Sequence, residues 1–317
     1  MPVLWPKTTF GNMLTRRLGK TDLWIPAVGL GGWALGGGTD WGPIDFAEVS
    51  RTVLAALEAG VTLIDTAPIY GDSEAVLGRV LQGRRKQVFL SSKCGLVKNG
   101  SWTDHDLSAA TMARQLEASL QYLQTDYIDI YWMHYLDPHV PWQDVLARLA
   151  YWKQQGKIRA IGVCNVPPHV LIEMAQTGKI DCVQDEFSVL HPTKGRAALD
   201  VCREYNLGFM AYGTLCGGIL SGKYKKEPNF RRADARNYFY KCYRGESFVK
   251  AQATVSRVGQ LAQEKQITPA QVALAWVLAQ PGVTCALAGA RTAKQAQQNA
   301  YAAHLTLTTE QLCSLTK

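Results

Sequence analysis

Three short apolar runs end on, or just before, side chains that can move protons. Leu63-Ile64-Asp65 closes on a carboxylate and continues as Thr66-Ala67-Pro68-Ile69-Tyr70-Gly71. Val88-Phe89-Leu90-Ser91-Ser92-Lys93 closes on an ammonium, and Ile128-Asp129-Ile130-Tyr131-Trp132-Met133-His134 on an imidazole. Runs of this length, broken by Pro or Gly, read as buried strands. A phenol with its ordinary pKa of ~10 is a poor acid at neutral pH, and an ammonium beside it makes the phenolate more accessible. Asp65 would keep Lys93 charged and fixed, while His134 would hydrogen-bond the reacting oxygen or relay its proton. Together the four groups can polarise and protonate a carbonyl oxygen, which suits hydride addition. Taken singly, His134 also reads as a satisfied core histidine and Tyr70 as ordinary loop packing. Lys93 at the end of a buried strand needs a partner, because an interior charge is costly. The combination carries the signal.

Bringing these groups together requires strands that run side by side and end at one rim. Residues 13–26 read as a hairpin with Gly19 and Asp22 at its turn. A strand at 27–31 follows, and further strands fall at 62–65, 87–92, 127–133, 158–163, 182–187, 207–212 and 283–288. Between and after them, helical spacing is found at 46–59, 73–82, 108–123, 143–155, 168–177, 195–205, 248–265, 268–280, 292–302 and 308–315. Gly60 and Gly156 stand where helices stop, and Pro168 and Thr268-Pro269 where they start. Eight strands each followed by a helix predict a parallel (β/α)8 TIM barrel of the α/β class. It is expected to be one domain, 1–317, with the 13–26 hairpin closing the bottom and a long basic loop at 213–248. Asp65, Lys93 and His134 would then end adjacent strands, about 4.8 Å apart per step.

A doubly wound Rossmann sheet is the alternative, because Gly29-Leu30-Gly31-Gly32-Trp33-Ala34 matches G-x-G-x-x-A after a strand. That fingerprint must open a helix, and Leu35-Gly36-Gly37-Gly38-Thr39-Asp40-Trp41-Gly42 cannot be one. The glycines are therefore read as a flexible first βα loop.

Composition sets the remaining bounds. No apolar run spans a bilayer, and Met1 to Thr15 lacks a secretory signal, so a cytoplasmic protein is expected. The eight cysteines are scattered singly, without a Cys-x-x-Cys pair, which suggests neither a metal site nor a disulfide framework. The net charge of +8 is uneven. Between Lys223 and Arg244 there are eight basic residues against Glu227 and Asp234, interleaved with six aromatic rings. Such a segment can track a nucleic-acid strand, fold over a phosphorylated small molecule, or be a solvated loop.

The chain resembles the aldo-keto reductase family over nearly its whole length, from Arg17-Leu18-Gly19-Lys20-Thr21 to Asn299. Asp65-Thr66-Ala67-x-x-Tyr70-Gly71, Ser92-Lys93 and His134 match the family's Asp/Tyr/Lys/His tetrad in order and context. The resemblance implies an NADPH-dependent reductase of aldehydes or ketones. Tyr70 would be the general acid, Lys93 its modulator, Asp65 the support of Lys93, and His134 the group that orients the carbonyl. It also implies NADP(H) contacts at Gly32, Trp33, Asp65, Cys164, Asn165, Gln184, Tyr212, Gly213, Thr214, Leu215, Gly217 and Lys223. A second set lies at Gly289, Arg291, Gln295, Gln298 and Asn299, with Arg291 for the 2′-phosphate. Cys164 stands where the family has Ser, and Gln298 where it usually has Glu. By the same resemblance the basic segment becomes a cofactor clamp. Trp33, Trp102 and Tyr135, with Tyr238, are candidates to line an aromatic mouth for substrate. The chain ends soon after its terminal helix, so the long C-terminal specificity loop of some members is expected to be missing. The partner expected is a small aldehyde or ketone rather than nucleic acid or a membrane, and nothing in the sequence fixes an oligomeric state. The alternative function is a regulatory or redox-sensing NADP(H)-binding subunit, since relatives with that role keep the tetrad.

Overall fold

The computed structural model describes residues 13–100 and 102–316. The reading of residues 1–15 as lacking a leader therefore lies largely outside the described residues. The chain opens with β1 (Thr15–Arg17) and β2 (Trp24–Pro26), an antiparallel pair, and continues through β3 (Val28–Gly31) into α1 (Gly38–Trp41) and α2 (Phe46–Glu58). Next come β4 (Leu63–Asp65), α3 (Ser73–Val80), β5 (Phe89–Cys94), β6 (Leu96–Asn99), β7 (Trp102–His105) and α4 (Ala109–Tyr122). The middle of the chain supplies β8 (Ile128–Met133), α5 (Trp142–Gln154), β9 (Ile158–Cys164), α6 (Pro168–Gln176), β10 (Cys182–Glu186) and α7 (Arg196–Tyr205). It closes with β11 (Gly208–Tyr212), α8 (Ala235–Tyr238), α9 (Gly245–Glu264), α10 (Pro269–Leu278), β12 (Val283–Gly289), α11 (Ala293–Tyr301) and α12 (Thr309–Ser314).

Local chemistry places these boundaries. The Asp45 side chain accepts from Ala47 N to start α2, and Gly60, at φ +85°, turns the chain away after it. Thr268 and Gln271 form a reciprocal capping box at α10, with Pro269 in its first turn.

Eight parallel strands close into a barrel in the order β3-β4-β5-β8-β9-β10-β11-β12, confirming the expected (β/α)8 architecture. Side-chain alternation along each strand divides the core in two. Outward-facing residues such as Ile64, Leu90, Tyr131, Val163 and Phe209 pack under the helices. Inward-facing Leu63, Ile130, Trp132, Ala160, Cys182, Met210 and Leu287 fill the barrel, together with Leu18, Leu23 and Ile25 from the β1–β2 hairpin. That hairpin is the expected bottom plug. Leu18 lies against the start of β11, 2.4 Å from where a Cβ on Gly208 would sit. Arg16 donates to the carbonyls of Val283 and Leu278 at 2.5 and 3.0 Å.

Three segments differ from the expectation. The loop after β5 contains an additional hairpin, β6–β7, whose turn starts at Asn99-Gly100. The glycine-rich segment after β3 is not a plain loop. It holds a 3₁₀ turn at Trp33–Leu35 and the single-turn α1, although no long helix opens there. The segment at 213–248 likewise carries 3₁₀ turns at Cys216–Ser221 and Lys241–Tyr243 as well as α8, and α9 starts at Gly245 rather than 248. Its rings pack on one another: Tyr224, Phe230 and Tyr243 meet edge to face with centres 5.0–5.6 Å apart. Arg236 pairs with Asp234 at 2.7 Å, and Arg244 with Glu227 at 3.4 Å.

Candidate active site

Parallel pairing sets Asp65 of β4 opposite Ser91 of β5, so Ser91 and, two residues on, Lys93 face the barrel axis on Asp65's side. Lys93 is fully buried, and its Nζ donates to Asp65 Oδ2 at 2.6 Å and to the Thr66 carbonyl at 2.9 Å. Asp65 Oδ1 accepts from the Ser91 hydroxyl at 2.6 Å and from Gln184 Nε2 at 3.1 Å. Trp132 Nε1 donates in turn to Ser91 Oγ at 2.6 Å. Both carboxylate oxygens are thus occupied by donors, the condition under which a buried ion pair is sustained. The Lys93 ammonium stands 4.7 Å from the centre of the Tyr70 ring. His134, just past β8, presents its ring to Tyr70 at 6.0 Å and nearly at right angles. The four residues picked out at strand ends therefore converge.

Their electrostatics follow from burial and from one another's charge. Burial pushes the Tyr70 phenol up, and the Lys93 ammonium draws it only part of the way back, leaving it at about 12. Burial works against the Lys93 charge, but Asp65 outweighs it and holds the ammonium above its usual pKa. Burial, then the neighbouring Lys93 charge, depresses His134 well below the ordinary imidazole value. At neutral pH the site therefore combines a protonated phenol, a fixed cation and a neutral imidazole. Such a set can donate a proton to an oxygen held between Tyr70 and His134.

Aromatic side chains frame this oxygen position. Trp33 faces Tyr70 at 5.8 Å and 26°, and Tyr135 stacks on His134 at 5.4 Å. His105 of β7 lies against Tyr135 at 5.2 Å. Trp102 is carried outward on the β6–β7 hairpin and is 78 % exposed. Tyr238 is exposed as well, but its hydroxyl donates to Asp40 at 2.9 Å.

The remaining candidates lie along the ends of β9 to β12 and β3. Asn165 adopts φ +56°, donates to the His134 carbonyl at 3.1 Å and accepts from the Tyr212 hydroxyl at 2.7 Å. Cys164 is fully buried beside it. Gln184 is not free at the rim, because its amide N is given to Asp65. Past β11, Gly213 has φ +65°, the Thr214 hydroxyl donates to the Leu287 carbonyl, and Leu215 leads into Gly217 and Gly218 at φ +64° and +99°. Lys223 Nζ comes within 3.8 Å of where a Cβ on Gly218 would sit. Gly32 donates its N–H to the Asp65 carbonyl at 2.7 Å. Around β12 and α11, Arg291 N–H donates to Gln295 Oε1 at 2.8 Å, and Asn299 Nδ2 to the Gly289 carbonyl at 3.3 Å. Arg291 is exposed, Gln298 is half-buried on α11, and a Cβ on Gly289 would meet open space.

Sequence reasoning did not assign Ser91, Trp132 or Asp40. The inward parity of Ser91 could be counted from Lys93, two residues on. Trp132 reaches Ser91 only through the β5–β8 register, and no local signal marked Asp40.

Comparison with known proteins agrees with this geometry. A sequence model described as the aldo/keto reductase family matches residues 27–317. The chain is 33 % identical over 279 residues to the aldo-keto reductase YhdN of Bacillus subtilis, covering 86 % of this chain and 84 % of that one. It is 34 % identical to the NADH-specific methylglyoxal reductase of Escherichia coli, covering 92 % and 93 %. The solved glycerol dehydrogenase AKR11B4 of Gluconobacter oxydans superimposes with a TM-score of 0.85 at 30 % identity, over 95 % of this chain and 93 % of that one. Nearly the whole barrel, and every strand end that carries the site, lies inside the matched span, and the chain belongs to the aldo/keto reductase family.

Proposed function

We propose that this chain is a nicotinamide-dependent reductase of aldehydes and ketones that prefers NADP(H), with Tyr70 as the general acid. The observation that carries the proposal is the buried Lys93–Asp65 pair beneath the Tyr70 ring, with a neutral His134 alongside. When bound, the cofactor supplies the hydride. The protein holds the carbonyl oxygen between Tyr70 and His134 and delivers the phenolic proton to it as charge develops there. Lys93 favours release of that proton, and Asp65 keeps Lys93 charged and in place.

The rim suits an anionic dinucleotide. Gly217 and Gly218 form a left-handed turn without side chains, with the Lys223 ammonium alongside. Such a turn lets a pyrophosphate approach the backbone closely, although the Gly218 N–H is itself given to the Leu215 carbonyl at 2.8 Å. Arg291, just before α11, offers an exposed guanidinium for a 2′-phosphate. Tyr212 is anchored through Asn165 and supplies a platform for the nicotinamide ring.

Oxidation of NADPH and of NADH should be measured with a panel that includes methylglyoxal, glyceraldehyde and a bulky aromatic aldehyde. Tyr70→Phe is expected to lower kcat by at least several hundredfold with nucleotide affinity little changed. Near-full turnover by Tyr70→Phe would remove the acid assignment. Arg291→Ala should raise KM for NADPH about tenfold and leave NADH unaffected. Equal effects on both nucleotides would refute the 2′-phosphate contact.

A further inference from the structure

The loop after β3 is bound on two sides, and one carboxylate joins them. On its Tyr70 side the attachment is by close backbone approach. A Cβ on Gly36 would sit 1.6 Å from the Tyr70 carbonyl oxygen, and Asp72 N–H donates to the Gly36 carbonyl at 3.1 Å. On the other side the basic segment reaches across from β11, which is separated from β3 by β12 in the barrel. Tyr238 O–H donates to Asp40 Oδ1 at 2.9 Å, and Arg231 Nη2 to the Thr39 carbonyl at 3.4 Å. Asp40 Oδ2 meanwhile accepts from Trp33 Nε1 at 2.9 Å. The Trp33 ring, facing Tyr70, is held edge-on by Trp41 at 5.5 Å and by Phe239, next to Tyr238, at 5.1 Å.

We propose that Asp40 is a positioning residue that couples seating of the basic segment to the orientation of Trp33 against Tyr70. The proposal rests on the reading of Tyr70 as the acid and of the basic segment as a cover for the cofactor's phosphates. Asp40 gives one oxygen to each side, and only a carboxylate of this length offers two charged acceptors to two donors. With the segment seated, Tyr238 and Trp33 fix the carboxylate through its two separate oxygens, and Trp33 presents one defined face to a carbonyl compound approaching Tyr70. With the segment lifted to admit or release nucleotide, Asp40 loses Tyr238 and Trp33 loses a fixed acceptor. The aromatic wall beside the acid is thus complete only when the cover is down, which ties substrate positioning to cofactor retention.

The test uses the full chain with NADPH and methylglyoxal, comparing wild type, Tyr238→Phe, Asp40→Ala and the double variant. Two rates are read by stopped flow: release of bound NADPH, and hydride transfer in a single turnover. Tyr238 is exposed, so its variant leaves folding undisturbed. Tyr238→Phe and Asp40→Ala should each speed release by roughly three- to tenfold and slow transfer by a comparable factor. The double variant should match Asp40→Ala in both rates, because the two residues share one bond. Additive effects on release, or release unchanged while transfer falls, would overturn the coupling and leave Asp40 a staple of its own loop. Asp40→Asn retains a single acceptor oxygen and should fall between wild type and Asp40→Ala in both rates. Wild type without turnover on either nucleotide would instead refute the underlying reductase assignment, an outcome distinguishable from variants that behave as wild type.

Discussion

Replacing Lys93 with Met removes a charge while keeping an unbranched side chain of similar length. The ammonium stands 4.7 Å from the centre of the Tyr70 ring; Lys93 is fully buried and Tyr70 half-buried. At an effective dielectric constant of about 20, a unit charge at that distance is worth ~3.5 kcal/mol to a developing phenolate. That corresponds to a factor of several hundred in the ease of proton release, at about 1.36 kcal/mol per tenfold. Tyr70 sits at about 12 even with Lys93 in place, burial outweighing the cation, and would be raised further without it. Lys93→Met should therefore slow single-turnover reduction by a few hundredfold, with nucleotide affinity within a factor of about three. The variant also leaves Asp65 buried without its counter-charge, although Ser91 and Gln184 still donate to it. Breaking a buried pair from one side costs about 3–5 kcal/mol of stability, and removing both charges restores much of it. Urea unfolding of Lys93→Met and of Asp65→Asn/Lys93→Met should show that recovery, while the transfer rate stays low in both. A transfer rate within tenfold of wild type, in a Lys93→Met protein that folds and binds nucleotide, would refute the role given to Lys93.

Other expectations follow from the same geometry. Reduction needs the protonated phenol, so its rate should be flat from about pH 6 to 10, while oxidation, which needs the phenolate, should climb throughout. A reduction profile that falls with an apparent pKa near 7 would show that burial does not control Tyr70. His134 titrates well below its unfolded value of ~6.5, so in that window the unfolded chain binds more protons than the folded one. Its contribution to stability is full above about pH 6.5 and is lost as the pH falls towards the depressed folded value. Wild type should thus lose more stability than His134→Gln between pH 7 and 5 in urea titrations, and parallel losses would contradict the assignment. Gly36→Ala forces its new Cβ against the Tyr70 backbone and should cost about 2 kcal/mol in thermal unfolding, with kcat falling more than nucleotide affinity. Wild-type kcat in that variant would mean that Tyr70 tolerates displacement.

The strands and long helices were legible because buried strands and amphipathic helices announce themselves by period, and because Gly60, Gly156 and Pro168 punctuate them. Asp65, Lys93 and His134 were legible for a related reason, since an ionisable residue closing an apolar run is costly without a partner. Side-chain contacts across the barrel were not. Gln184 meets Asp65 over 119 residues of chain, and Trp132 meets Ser91 only through inter-strand register. The β6–β7 hairpin escaped because β7 is exposed at every residue and β6 is exposed at its last two, leaving little alternation to read. Its Asn99-Gly100 dipeptide was the available signal. The packing of the basic segment could not be read, because its aromatic spacing fits a stacking surface as well as it fits rings that pack together. In the fold Tyr224, Phe230 and Tyr243 use their faces and edges on one another.

The hairpin at the bottom of the barrel has a consequence for how the chain comes to be folded at all. Arg16 and Leu18 are made long before their partners at Gly208, Leu278 and Val283. The Arg16 contacts close loops of 267 and 262 residues, so the plug cannot seat fully until β12 is available. A nascent chain several strands long would hold Leu18, Leu23 and Ile25 without their burial site, and is a species for chaperones to shield. Closure of the barrel and docking of its first hairpin are then expected as one late, slow event in refolding, dominated by contacts of very long sequence separation.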